Sequence, residues 1–138
     1  MYIREAHVHL TYYLTSKIRI MSNVVSWSIQ LSVKEGQMEN ARELSEEMIV
    51  ATRNEPGTLA YEWYVSDDGA ICHIHEKYAD SDAVLAHLGA FGANFMDRFM
   101  QIFQPTALYV YGNPNAAAKE VLDNFGAVYL PPFGGFTR

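Results

Sequence analysis

The sequence predicts an α+β fold, a ferredoxin-like βαββαβ domain with an antiparallel four-stranded sheet. Three observations carry this reading. Segments alternating every two residues are interleaved with segments repeating every three or four, in the order strand, helix, strand, strand, helix, strand. Asp67-Asp68-Gly69 joins the second and third strands with a hairpin signal, which makes them antiparallel. Pro56-Gly57 and Pro105 punctuate the pattern where elements should end.

The elements follow in order. From Val24 to Val33, Val25, Trp27, Ile29, Leu31 and Val33 share one face, and Ser26, Ser28, Gln30 and Ser32 the other. Lys34-Glu35-Gly36 ends that strand. Residues 37–54 space Met38, Ala41, Leu44, Met48 and Ala51 as an amphipathic helix, stopped by Glu55-Pro56-Gly57. The aromatic run 58–66 is the second strand and 70–78 the third. Asp80-Ser81 caps a helix to about Leu88, and after a break at Gly89 a largely buried helix carries Phe91, Phe95 and Phe99 to Pro105. Residues 106–112 form the last strand.

Both ends fall outside this plan. Residues 1–20 are locally basic and read as an extension outside the fold, with a domain start at Met21. The competing reading is a strand through Val8, Leu10, Tyr12 and Leu14. After the compact unit 21–112, residues 113–138 hold a short helix capped at Asn113-Pro114-Asn115 and an apolar tail without periodicity. Tyr129, Leu130, Phe133 and Phe136 are too apolar for a solvated linker, so the tail is expected to pack on the domain or on a partner subunit.

Composition limits the function. The chain has 138 residues, 49% of them apolar, and a net charge of −6, which argues against a nucleic-acid partner. No apolar run is long enough to span a membrane, so no membrane partner is expected. One cysteine excludes an internal disulfide and fits a reducing, cytoplasmic setting.

The stretch ICHIHEKY, residues 71–78, invites a metal-site reading. On a strand, however, His73, His75 and Lys77 share one face, while Cys72, Ile74, Glu76 and Tyr78 share the other. Two histidines are short of a ligand set, and Lys77 repels a cation. No metal is expected. Cys72, mid-strand among apolar neighbours, reads as inert core.

The run from Glu55 to Phe99 resembles the antibiotic biosynthesis monooxygenase family. It carries an acidic-Pro-Gly turn (Glu55-Pro56-Gly57), a strand tyrosine (Tyr61), Glu76-Lys77-Tyr78 closing the third strand, and His87-Leu88 on the following helix. The likeness spans roughly residues 24–112. It implies a homodimer in which two open sheets pack face to face as a dimeric α/β barrel. It also implies cofactor-free oxygenation of a small aromatic phenol or quinol by dioxygen, with no cofactor needed. The resemblance argues against the haem-degrading branch, because Ile29, His87 and Asp97 stand where that branch carries asparagine, tryptophan and histidine.

A cofactor-free oxygenase must deprotonate its substrate and hold the anion in an apolar cavity. The resemblance points His87 at the cleft, and an imidazole suits the role of base or polariser. Tyr61 and Trp63 on the second strand, with Phe91 and Phe95, would wall the cleft. Glu76 would orient His87 or bind a substrate hydroxyl. The alternative is a non-catalytic homodimer that binds a small ligand or serves as an interaction module.

Overall fold

The computed structural model describes residues 23–138. The expected extension, residues 1–20, and the proposed start at Met21 lie outside the described residues. The elements are β1 (Val25–Val33), α1 (Met38–Arg53), β2 (Thr58–Val65), β3 (Ile71–Tyr78), α2 (Ser81–Asn94), α3 (Met96–Ile102), β4 (Phe103–Tyr111), α4 (Ala116–Asp123) and β5 (Val128–Leu130). The sheet order is β2-β3-β1-β4-β5, antiparallel throughout except for the parallel pair β4 and β5. This is the ferredoxin-like plan with one strand added. No helix among the described residues is long and apolar enough to cross a membrane.

The alternation in β1 does what its pattern demands. Val25, Trp27 and Leu31 are buried under the helices, with Ile29 packed against the same core. In β3, Cys72, Ile74, Glu76 and Tyr78 are likewise buried, while His73, His75 and Lys77 lie on the opposite face. Burial pushes the Cys72 thiol up to about 11, which leaves it protonated and unreactive.

Four expectations need correction. The helix starting at Ser81 does not break at Gly89 but runs to Asn94, because burial of Val84 and His87 outweighs the low helix propensity of one glycine. The break comes at Phe95, whose N–H still closes on the Phe91 carbonyl. The last core strand starts at Phe103, not Thr106. Pro105 fits inside it opposite Leu31, next to a bulge at Thr106, where β5 does not reach and no ladder donor is needed. Finally, among the described residues the sheet has five strands rather than four: residues 128–130 pair with Tyr109–Tyr111. Beyond Leu130 the tail is exposed, Phe133 fully so.

The turn into α4 depends on Gly112, which has φ +111° and whose Cβ, were it alanine, would sit 2.6 Å from the Val24 carbonyl. Asn115 then caps α4 by accepting from the Ala118 N–H at 2.9 Å. Ala118 and Leu122 anchor the helix in the core.

That core is two clusters rather than one. Leu31, Leu44, Met48, Ile74, Phe99 and Phe103 pack at one end of the sheet. Val25, Trp27, Tyr78, Val84, Leu108 and Leu122 pack at the other. Ile29 touches both, and a cavity occupies the space where they fail to merge.

Candidate active site

The cavity, about 570 Å³, lies between the sheet and the helices. Its floor is Trp27, Tyr61, Glu76 and His87, and its walls include Ile29, Phe91 and Phe99. Exposed Met100, Gln104 and Asn124 mark its mouth. The size suits a drug-sized ligand, and the lining is apolar except at the floor and the mouth.

At that floor three elements converge on one carboxylate. Glu76 is 6% exposed and projects from the buried face of β3. Trp27 Nε1–H donates to its Oε2 at 2.6 Å, and the Tyr78 hydroxyl donates to its Oε1 at 2.6 Å. His87 Nε2 lies 3.1 Å from the same Oε1. The other ring nitrogen, Nδ1, lies 2.9 Å from Oε2 and 3.2 Å from Oε1 of Glu55, in the turn after α1. The result is a chain Glu55–His87–Glu76 running across the floor.

A ring with a carboxylate at each nitrogen satisfies both only when both nitrogens carry protons. The electrostatics agree. Burial is the largest single influence on His87 and lowers its pKa, but the bonds and charges of Glu76 and then Glu55 together outweigh it and hold the group above its ordinary value. Both carboxylates therefore favour the imidazolium, with both nitrogens engaged, over a free base. Tyr61 and Tyr78 are pushed far up, first by burial and then by the Glu76 charge, so both remain neutral phenols.

A carboxylate offers about four acceptor positions, and among the described residues protein groups fill three of those on Glu76. One is left, on Oε2, for a hydroxyl in the cavity. Since His87 stands between the two carboxylates, they do not converge on a point. Among the described residues no group of three or more such side chains converges as a metal site.

Of the residues expected at the site, His87, Tyr61, Glu76 and Phe91 come together at the cavity. Trp63 and Phe95 do not line it. Trp63 packs on Phe103 at 5.9 Å, and its buried indole N–H has no partner among the described residues. Phe95 lines a second pocket of about 270 Å³ on the far side of His87, together with Glu55 and Asn94. The sequence reading missed Trp27 as a donor to Glu76 and Glu55 as a partner of His87. The one signal for Glu55 was its place in the acidic-Pro-Gly turn.

Residues 25–91 match the family described as antibiotic biosynthesis monooxygenase. The chain carries an antibiotic biosynthesis monooxygenase domain. Every member of the Glu55–His87–Glu76 chain, and Trp27, falls inside the matched residues. Among solved structures, the domain is similar to MupZ from Pseudomonas fluorescens, with 20% identity over 84% of this chain and 95% of that one and a TM-score of 0.74. Rv0793 from Mycobacterium tuberculosis gives 25% identity, 68% and 98% coverage and a TM-score of 0.58. SnoaB from Streptomyces nogalater, a cofactor-independent oxygenase, gives 11% identity, 68% and 96% coverage and a TM-score of 0.58. At these identities the likeness to MupZ and SnoaB is one of fold. The match to MupZ takes in 84% of the chain against 68% for the other two. No curated protein sequence matches the chain.

Proposed function

We propose that the protein is a cofactor-independent monooxygenase of a small aromatic phenol or quinol. The observation that carries this reading is a carboxylate with one free acceptor position, backed by an imidazolium, at the floor of an apolar cavity. Glu76 takes the phenol proton, and the His87 cation lowers the energy of the anion left beside it. The phenolate passes an electron to dioxygen, and the radical pair recombines as a peroxide anion at a ring C–H. Loss of water, which takes back the stored proton, leaves the quinone: phenol plus dioxygen gives quinone plus water. Tyr61 donates to the oxygen that bears charge, and Phe91 stacks on the ring. The fold likeness to SnoaB supports the class.

The test is oxygen uptake by chelator-treated protein against phenols, hydroquinones and naphthols. Uptake with quinone formation is expected. Conversion of the same compounds without uptake would favour a second reading, acid–base isomerisation or elimination, which the carboxylate–imidazolium pair also equips. A panel silent in both respects discards the oxygenase reading for this substrate class and favours the ligand-binding alternative.

The assembly belongs to the same proposal. Among the described residues, the helices cover one sheet face and leave the other, with Ser26, Gln30, His73, His75 and Tyr109, open to a second copy. Val128 and Leu130 extend that face and are about half exposed. Two such faces packed across a twofold axis would form the dimeric barrel. Sedimentation equilibrium is expected to give twice the 15.6 kDa chain mass, and a monomer at micromolar concentration would discard it.

A further inference from the structure

His87 separates two spaces. Its Nε2 side faces Glu76 and the large cavity, and its Nδ1 side faces Glu55 and the second pocket. That pocket is lined by exposed Asn54 and Asn94, and the Glu55 side chain keeps 21% of its surface in solvent. Glu76 is 6% exposed and lines the large cavity but not the second pocket. A ligand seated in the cavity therefore covers Glu76 and that side of His87, and leaves Glu55 in contact with water.

We infer that Glu55 and the second pocket form a proton port, through which the buried His87–Glu76 pair exchanges protons with solvent while the cavity is occupied. The step is a reversible proton transfer. The Nδ1 proton passes to Glu55 Oε2, 2.9 Å away, and then to water in the pocket, while the Nε2 proton stays on the Glu76 side. The reverse transfer reloads the ring. Between turnovers the port restores the Nδ1 proton whenever the ring has lost it, so that His87 is again a cation when Glu76 accepts a proton from a bound hydroxyl. The remaining groups around the ring cannot serve. Tyr61 and Tyr78 are held neutral, and the Trp27 N–H is committed to Glu76.

This use of the port rests on the proposed chemistry, but its existence does not, so the test needs no substrate. With histidine-selective ¹⁵N labelling, the solvent exchange of the His87 Nδ1–H is measured by NMR, its signal being assigned by its loss in His87→Gln. Glu55→Gln, which keeps the shape but not the proton acceptor, is expected to slow exchange about a hundredfold. Ala90→Leu, which plugs the second pocket, should do the same, and Glu55→Asp should keep exchange fast. Met100→Trp, at the cavity mouth, should leave it unchanged. Slowing by Met100→Trp, or unslowed exchange in Glu55→Gln or Ala90→Leu, overturns the port. A failed oxygen assay would leave this result standing, so the two ideas fall separately.

Discussion

Glu76→Ala is expected to cost the fold about 3–5 kcal/mol and to abolish turnover. The carboxylate accepts from Trp27, Tyr78 and His87, and deleting it leaves three buried donors with one acceptor gone. Against a typical domain stability of about 5–15 kcal/mol, that loss brings the variant near unfolding, so activity alone would be ambiguous. Glu76→Gln resolves the ambiguity. The amide keeps the volume and one oxygen acceptor, but its NH₂ must face one of the three donors, so a smaller destabilisation is expected. It cannot take a proton from a phenol, and kcat should fall on the order of 10²- to 10⁴-fold in protein that is still folded. Urea unfolding and steady-state kinetics on the same samples separate the two effects. Glu76→Gln with near-normal kcat would remove Glu76 from the chemistry and leave it a purely structural acceptor.

How much of this was legible depends on the range of the interaction. The two faces of β1 and of ICHIHEKY follow from the period of two, and the buried set on β3 is the one the alternation predicts. Local breakers were less reliable. Gly89 and Pro105 were read as boundaries, yet a helix anchored by Val84 and His87 runs through the first and a bulged strand absorbs the second. The site was legible in its parts and not in its wiring. His87 and Glu76 stood in a recognisable pattern, whereas Trp27 looked like another strand hydrophobe and Glu55 like half of a turn. Turn chemistry says that the chain reverses at Glu55. It does not say that the carboxylate reaches a ring 32 residues onward, because that depends on how α1 and α2 are set against each other. Two ionisable residues in one pattern, an acid before Pro-Gly and a histidine before leucine, were the available hint.

The charge on His87 gives the second large effect, and its sign is fixed. A histidine raised in the folded state adds stability that is fully present below its unfolded value, about 6.5, and is lost as pH rises through the folded value. Each unit of elevation is worth about 1.4 kcal/mol. The comparison is between the wild type and His87→Gln, which keeps a hydrogen-bonding side chain between the two carboxylates but brings no positive charge. His87→Gln is expected to be less stable, because Glu55 and Glu76 then face each other across the floor without a cation. The gap between the two proteins, measured by urea unfolding from about pH 6 to 9, should be widest at the acid end and close as the wild-type ring loses its proton. Turnover should follow the same ring. The imidazolium stabilises the anion, so kcat of the wild type should fall at alkaline pH, and His87→Gln should be slower by about a hundredfold or more at pH below the folded value. A stability gap that stays constant across this range would mean the ring is neutral at the floor. His87 would then regain the role of free base that its sequence position first suggested.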